Sequence, residues 1–461
     1  TRGAIGASLT VFSTWQVVGR MGNSSLSGLA FTFLCLTTAT MILRPAELVP
    51  GLAGLPLYEV CIAATILLGH QGLLRHFTPG SLTRQPVTLC FVGVLIAIPV
   101  SQITHMYFGG ALSGTIEFIK AGMLFALIVA VVDTWSKFER LLTVIAGCAT
   151  MTVLLCVVDY LGVWDFQFIK HAAESYGTSS SGYDIRIQRM NGTGIFSDPN
   201  DISLLIVATG SLCVSFLTDK ERGPTRFGWL IPLAILVTGL ACTKSRGGML
   251  AACSAGGILV MFRYGKKAAI GLGLLGLIAL PILAGRQANI DLSDGTGHQR
   301  ITLWRDGLAA LRSMDLLFGT GHRSYADLAG LVAHNSFIHA YVELGIIGGT
   351  FFFGMFFFSV LGLFRLNTPE WQIQHPKQAR FLPYMAAMGA GWTVGLMSLS
   401  RCYTVSTLML LGLGAAYLNL AGWNLRPRRL VIEWDRPHVQ KLLVWSACFF
   451  VALNIFVRVF A

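Results

Sequence analysis

Residues 286–345 read RQANIDLSDGTGHQRITLWRDGLAALRSMDLLFGTGHRSYADLAGLVAHNSFIHAYVELG, a polar interval inside an otherwise apolar chain. The interval contains several carboxylates and histidines, and it contains five arginines, namely Arg286, Arg300, Arg305, Arg312 and Arg323. The apolar sequence on both sides indicates a chain built to hold this interval at a membrane surface.

The composition of the whole chain supports a membrane protein. Its mean hydropathy is +0.65, 54% of its 461 residues are hydrophobic and 12% are charged, whereas soluble proteins carry about 25% charged residues. Apolar runs this long and frequent exclude a string of soluble domains. The net charge of +12 comes from cations between apolar runs and not from a basic tract with interleaved aromatics, so we expect no nucleic-acid partner.

The apolar runs predict an all-α, polytopic transmembrane helical bundle of about 12–13 spans, forming a single membrane domain over residues 1–461. A helix needs about 20 apolar residues to cross a bilayer, and no alternating barrel pattern is present. Residues 1–20 are interpreted as an interfacial lead-in, with a short first span as the alternative. The predicted spans are 26–43, 52–74, 86–105, 114–133, 139–163, 199–218, 226–243, 246–263, 267–285, 335–364, 380–400, 402–423 and 441–460.

Lys and Arg in alternate loops predict the orientation, because cytoplasmic loops carry an excess of these residues. Six alternate loops are all basic, and this places the amino-terminal side of the first span in the cytoplasm. Their cations are Arg75, Arg84, Lys137, Arg140, Lys220, Arg222, Arg226, Arg263, Lys266, Lys267, Arg365, Lys377, Arg380, Arg426, Arg428, Arg429, Arg436 and Lys441. The outer loops 164–198 and 286–334 are long and should form the extramembrane part. A helix is predicted near 300–313, and its apolar side chains are expected to lie along the bilayer surface.

Cations on the outer side are not explained by topology. Long loops tolerate charge, and nearby carboxylates could pair with the arginines. Arg246 is harder to explain in this way, because TKSRGG (243–248) joins two spans with almost no loop and a cation there usually has an anionic partner. The other outer cations are Arg186, Arg189, Lys244, Arg286, Arg300, Arg305, Arg312, Arg323 and Arg401.

Common catalytic motifs are absent. The chain has no GxxxxGK[ST], HExxH, CxxC or GxSxG sequence, so an ATP-driven engine, a zinc site and a serine nucleophile elbow lack support. All ten cysteines fall within or at the ends of apolar segments, which favours neither disulfides nor a thiolate metal site. We expect no metal and no cofactor.

Six short pieces occur in order on the predicted outer side: GIFSDPND at 194–201, TKSRGG at 243–248, RITLW at 300–304, GTG at 319–321, HN at 334–335 and ELG at 343–345. This set resembles the O-antigen ligase and Wzy-type polymerase superfamily of bacterial membrane glycosyltransferases, over about residues 189–349. The resemblance implies a protein of the bacterial inner membrane whose active site faces the periplasm. It also implies metal-independent, inverting transfer of a glycan from an undecaprenyl diphosphate carrier to a sugar hydroxyl.

The resemblance implies roles for particular residues. Guanidinium groups can hold two oxygens of a leaving diphosphate, and Arg189 and Arg246 are the leading candidates. His334, in the HN motif, matches the family's histidine and suits a general base for the acceptor hydroxyl. Further candidates for binding diphosphate or sugar are Arg300, Arg323, Arg186, Asp201 and Glu343.

Structural roles remain open for several of these residues. Asp198 and Asn335 suit helix N-caps, and Glu343, nine residues after His334, is at least as suited to a structural hydrogen bond. His339 lies on a somewhat different helix face from His334.

The acceptor also remains open. The sequence slightly favours an O-antigen ligase with lipid A-core as acceptor; the alternatives are a polymerase with a carrier-linked glycan acceptor, a lipid-linked glycan transporter and a non-catalytic membrane scaffold. In every case membrane lipids surround the spans.

Overall fold

The computed structural model describes residues 24–166, 169–178, 184–274 and 296–460. Within them the protein is an all-α helical bundle with one small β-hairpin, and the predicted fold class is confirmed. The predictions for residues 1–20 and for Arg286 lie outside the described residues. The helices are α1 (Ser24–Leu43), α2 (Pro45–Leu48), α3 (Leu57–His76), α4 (Pro79–Leu82), α5 (Pro86–Ile103), α6 (Phe108–Val131), α7 (Trp135–Tyr160), α8 (Pro199–Thr218), α9 (Leu230–Thr243), α10 (Arg246–Tyr264), α11 (Thr296–Ala310), α12 (Asp315–Phe318), α13 (Tyr325–Ala329), α14 (Ser336–Leu366), α15 (Pro376–Leu396), α16 (Val405–Trp423) and α17 (Arg436–Phe460), with 3₁₀ turns at Pro50–Leu52, Gly194–Phe196 and Lys220–Trp229.

Eleven helices in the described part of the chain are long and apolar enough to cross a membrane, when the 3₁₀ segment Lys220–Trp229 is counted together with α9. The sequence predicts about thirteen. One of the two others, 267–285, is helical over 266–274, and its remainder lies outside the described residues. The second, 380–400, corresponds to α15, which is long enough to span but less apolar. Since α15 packs against α8, α10, α14 and α16, it needs less lipid-facing apolar surface than a peripheral span.

The spans differ in how deeply they are buried. Helices α8 and α16 have 78% and 89% of their apolar windows buried inside the protein, whereas α3 and α17 have 11% and 17%. The first two therefore form the centre of the bundle. The peripheral helices present apolar side chains such as Leu67 and Val459, which suits a lipid environment and would be costly in water.

Helix α14 is too long for one straight crossing. Its 31 residues would extend about 46 Å at about 1.5 Å per residue, against about 30 Å of hydrocarbon. Gly345 breaks the helix with φ 66° and ψ −173°. The residues after this break suffice for one span, so the first part of the helix, about two and a half turns at 3.6 residues per turn, forms a separate piece at one end of the bundle.

The polar loops gather at two opposite ends, as the alternation of basic loops predicts. The site end comprises the described loop residues 44–56, 104–107, 161–166, 169–178, 184–198, 244–245, 296–335 and 397–404. Arg401 there contacts Asp201, and Gln102 donates to the His322 carbonyl. The basic end comprises 77–85, 132–134, 219–229, 367–375 and 424–435. There Arg222 pairs with Glu139, and the Trp434 N–H donates to Thr83.

Two local features at the site end differ from the sequence-based picture. Loop 164–198 contains an antiparallel hairpin of β1 (Ala172–Thr178) and β2 (Asp184–Arg189), which the sequence analysis did not predict. The predicted helix near 300–313 is α11, but its apolar side chains Leu308 and Leu311 pack with Tyr325, Ile338 and Val457. Protein therefore covers the face that the sequence suggested would lie on the bilayer.

Candidate active site

The amino-terminal turn of α8 is the centre of the site. Asp198 caps the helix by accepting from the Asn200 N–H at 2.7 Å, and Pro199 occupies its first turn, which confirms the cap expected from DPND. The next polar side chain, Asn200, accepts from the Arg189 Nη2 at 3.0 Å and from the Ser245 Oγ at 2.6 Å. One amide oxygen thus joins the end of β2 to the beginning of α10.

Arg189 is held firmly at this junction. Its Nε donates to the Thr243 carbonyl at 3.0 Å, and the adjacent Met190 N–H donates to Cys242 at 3.1 Å. Both acceptors are carbonyls at the end of α9, where cationic side chains are favourable. Arg189 is therefore oriented before any ligand binds.

Arg246 has a different environment. It is the first residue of α10, its side chain is exposed, and no described residue forms an ion pair or hydrogen bond with it. A cation is unfavourable at a helix amino terminus, where backbone N–H groups already carry positive potential. The exposed guanidinium and the N–H groups at the helix amino terminus are together suited to bind an anion.

The glycines of TKSRGG allow this turn to pack closely. A Cβ on Gly247 would overlap the Ser398 side chain, and a Cβ on Gly248 would overlap Ser203. The first contact joins α10 to the loop 397–404, and the second joins it to α8. The motif therefore brings Arg246 close to two other parts of the site end.

Arg401 and Asp201 form a two-pronged ion pair beside the α8 amino terminus. The Arg401 Nε lies 2.8 and 2.9 Å from the two Asp201 oxygens, and Nη2 lies 2.6 Å from one of them. Burial alone would lower the pKa of Arg401, but Asp201 raises it overall. The sequence analysis assigned Asp201 to sugar binding; in the structure both of its oxygens are engaged by Arg401.

His334 lies at the entrance to α14 with its backbone in the left-handed region, at φ 50°. Asn335 caps the helix by accepting from the Phe337 and Ile338 N–H groups, as expected for the HN motif. The next residue, Ser336, donates to the Leu399 carbonyl at 2.5 Å and accepts from the Arg401 N–H at 2.8 Å. The loop that carries Arg401 thereby fixes the position of the His334 backbone.

The imidazole of His334 is half-buried, and no described residue forms a hydrogen bond with it. Burial lowers the pKa of His334 below its ordinary value of 6.5, the charge of Arg300 lowers it further, and Asp198 only partly opposes them. The ring is therefore neutral near pH 7 and can accept a proton.

The GTG and ELG motifs form one structural unit. The break at Gly345 frees carbonyls at the end of the first part of α14, and the N–H groups of Thr320 and Gly321 donate to Val342 and Glu343 at 3.0 and 3.2 Å. A Cβ on Gly319 would overlap the Glu343 carbonyl, and one on Gly345 would overlap Leu317. These close approaches explain the glycines at both positions.

Glu343 is buried in a second cluster, which it forms with His339 and Tyr325. Its side chain is 1% exposed, Oε1 lies 2.9 Å from the His339 Nε2, and Oε1 accepts from the Tyr325 N–H at 3.3 Å. These contacts tie the loop 319–334 to α14, and so they hold the segment that leads to His334. The sequence analysis left a structural hydrogen bond open for Glu343, and the contacts agree with that alternative.

The remaining predicted site residues lie at different distances from the centre. Arg300, in α11, is half-buried and close enough to affect the pKa of His334. Arg323 pairs with Glu117 at 2.9 Å, and both side chains are largely exposed. Arg186 lies within β2, opposite Ser175.

The structure therefore places Arg189, Arg246, Asp201 and His334 around the α8 amino terminus, with Arg300 near His334. Glu343 lies in the buried cluster with His339 and Tyr325, and Arg323 pairs with Glu117. Arg401 is a member of the site that the sequence did not identify. A signal for Arg401 was present, because it is an outer cation in a short loop, like Arg246.

Residues 231–353 match the family model described as O-antigen ligase. The matched part is about a quarter of the chain and includes Arg246, Arg300, His334 and Glu343, and it begins after Arg189. No curated protein gives a significant match. The match agrees with the resemblance found in the motifs. Together with the eleven apolar helices, it indicates a multi-pass membrane protein with a segment similar to the O-antigen ligase family.

Proposed function

We propose that this protein transfers a glycan from undecaprenyl diphosphate to a sugar hydroxyl on lipid A-core, at the periplasmic face of the bacterial inner membrane. The proposal rests on two side chains at the site end. Arg246 is exposed and has no partner among the described residues, and the half-buried imidazole of His334 has no hydrogen bond to any of them. One group suits the leaving diphosphate, and the other suits the attacking hydroxyl.

The diphosphate requires cations, because negative charge accumulates on its oxygens as the anomeric C–O bond breaks. A guanidinium stays charged and can donate to two oxygens at once. Arg246 is available for this contact, and Arg189 and Arg300 contribute positive charge nearby. Arg401 adds less, since Asp201 neutralises it.

The hydroxyl requires a base. In the proposed step the acceptor oxygen attacks the anomeric carbon from the side opposite the diphosphate, its proton passes to His334, and the diphosphate leaves with the bonding electron pair. The configuration at the anomeric carbon is inverted. The glycosyl diphosphate already stores the energy of the bond, so the step needs no nucleotide, and the residues named supply the charge stabilisation without a metal.

The test is glycan transfer by the purified full chain with undecaprenyl diphosphate glycan and lipid A-core. We expect His334→Ala to reduce the rate about 10²–10⁴-fold and Arg246→Ala to reduce it about 10²–10³-fold. Matched controls are His298→Ala and Arg312→Ala, which alter residues at the same end of the protein that form no hydrogen bond or ion pair with the α8 amino terminus among the described residues. Full transfer by both site variants would refute the proposal.

The same assay separates the alternatives. Product on lipid A-core supports a ligase, whereas lengthening of the donor in the absence of lipid A-core supports a polymerase. A transporter would move donor across vesicles without forming any new glycosidic bond. Activity lost with chelator and restored by a divalent ion would contradict the metal-independent step.

A further inference from the structure

A cavity at the basic end is lined by more cations than carboxylates. It lies where α7 and α15 begin and where α8, α10 and α14 end, and its volume is about 360 Å³, within the range of roughly 300–1,000 Å³ of small-molecule sites. The charged side chains in its wall are the cations Arg222, Arg263, Lys377 and Arg380 and the carboxylates Glu139 and Asp219. Glu221, beside the cavity, pairs with Lys377 and Arg380. Even with Glu221 counted, four cations face three carboxylates, and one positive charge remains unbalanced.

Lys377 is held loosely by its carboxylate partners. Its Nζ lies 3.6 Å from Glu221 and 4.0 Å from Glu139, both longer than an ordinary hydrogen bond. No described residue accepts a hydrogen bond from this half-buried ammonium. In contrast, the Arg222 Nη2 lies 2.7 Å from Glu139, and Arg380 pairs closely with Glu221. The Lys377 ammonium is therefore available to a further acceptor.

Arg263 has no carboxylate partner in the described part of the chain. Its Nη1 donates to the Tyr384 hydroxyl at 2.5 Å. That hydroxyl lies 2.6 Å from the Thr218 Oγ1, which donates to the Val214 carbonyl at 2.8 Å. Because the Thr218 proton is directed at the carbonyl, the Tyr384 hydroxyl donates to Thr218. This chain of hydrogen bonds holds one edge of the guanidinium and leaves its other N–H groups without an acceptor among the described residues.

Two neutral polar side chains also line the cavity. Ser215, at the end of α8, is half-buried, and Asn367, after α14, is exposed. No described residue forms a hydrogen bond with either side chain. A ligand in the cavity can therefore reach a guanidinium, an ammonium, an amide and a hydroxyl, which come from four different elements. A phosphate group suits this set, because it has several acceptor oxygens and forms strong hydrogen bonds with charged donors.

We infer that this cavity binds a phosphate group, with its charged oxygens at Arg263 and Lys377 and with Ser215 and Asn367 as further donors. A phospholipid head group at the membrane surface and a soluble phosphate ester carry the same chemistry, and the experiment below separates them. The site lies at the opposite end of the bundle from His334. The inference therefore does not depend on the proposed transfer activity.

Two probes test the inference on the full chain in detergent. Isothermal titration calorimetry measures binding of glycerol 3-phosphate, and native mass spectrometry measures binding of phosphatidylglycerol. We expect Arg263→Gln and Lys377→Gln each to raise the dissociation constant of the ligand that binds about tenfold. Arg436→Gln is the matched control, because Arg436 is an exposed arginine at the same end of the bundle, outside the cavity, and its affinity should be unchanged. Retention of the elution volume in size exclusion shows that each variant is folded.

The pattern of binding identifies the source of the phosphate. Saturable binding of glycerol 3-phosphate indicates a site for soluble esters, whereas binding of phosphatidylglycerol alone indicates a lipid head-group site. Diacylglycerol, which has no phosphate, should bind about tenfold more weakly than phosphatidylglycerol in the second case. The inference is overturned if neither probe binds saturably, if diacylglycerol binds as well as phosphatidylglycerol where only the lipid binds, or if either cavity variant retains the affinity of the wild type.

Discussion

His334 receives opposing electrostatic influences from two neighbours, Arg300 and Asp198, in addition to the effect of burial. The net effect is a pKa below 6.5, so the ring loses its proton at a lower pH than an exposed histidine does. If the neutral ring is the base, transfer should be constant above pH 6.5 and should decline only at lower pH, as the ring becomes protonated. The pH profile of kcat/KM measures this directly.

Arg300→Gln should move the acid limb of that profile upward, toward pH 6.5, because removing the positive charge makes protonation of His334 easier. The control is Arg305→Gln in the same helix, whose exposed side chain pairs with Asp306 at 3.2 Å. It should leave the midpoint unchanged. A profile whose midpoint is the same in Arg300→Gln and wild type would show that the titrating group is not His334.

The Arg401–Asp201 pair should respond asymmetrically to substitution. The Asp201 side chain is 8% exposed, whereas that of Arg401 is 37% exposed. Arg401→Gln leaves the buried Asp201 carboxylate without its partner and should lower the free energy of unfolding by about 3 kcal/mol. Asp201→Asn leaves a cation that can reach solvent, and it should cost about 1 kcal/mol.

Unfolding of the detergent-solubilised protein measures these costs. The control pair is Arg323 and Glu117, with 68% and 49% of their side chains exposed, where Arg323→Gln should cost below about 1 kcal/mol. If Asp201→Asn proved the more destabilising of the first two variants, the carboxylate would not be the buried partner that matters.

At the level of elements, the broken helix α14 determines the shape of the site end. Gly345 has φ 66° and ψ −173°, a conformation essentially restricted to glycine, and its missing Cβ leaves room for Leu317. Gly345→Ala should therefore destabilise the protein by about 3 kcal/mol and release the loop that leads to His334. The midpoint temperature of thermal unfolding and the transfer activity should both decrease.

Gly389 provides a matched glycine within a helix. It lies in α15, and a Cβ there would meet nothing within 4 Å. Gly389→Ala should leave activity intact and stabilise the helix by about 0.5–1 kcal/mol. Equal tolerance of alanine at both positions would show that the break in α14 is unnecessary.

For the whole molecule, the sequence was sufficient where a property depends on neighbouring residues alone. Apolar windows located nearly all the spans, and the DPND and HN motifs located two helix caps. The sequence was insufficient to predict contacts between residues far apart in the chain. Arg401 and Asp201 are 200 positions apart, and no local pattern shows that one neutralises the other. The partners of Glu343 depend on the break at Gly345 and on the loop docked there, so helical phase alone could not assign them.

The orientation of the two ends is the property on which the proposed chemistry most depends. The basic end carries its cations in loops such as 219–229, and cytoplasmic loops are enriched in Lys and Arg. A carrier-linked glycan and its acceptor should then meet at the other end.

Met314 is 57% exposed at the site end, and Thr225 is exposed at the basic end. In spheroplasts, a membrane-impermeant maleimide should label Met314→Cys directly and Thr225→Cys only after the membrane is permeabilised. The unsubstituted chain gives the background, because its two exposed cysteines, Cys253 and Cys448, lie within spans. Labelling of Thr225→Cys before permeabilisation would place His334 in the cytoplasm, where transfer to lipid A-core at the periplasmic face could not occur.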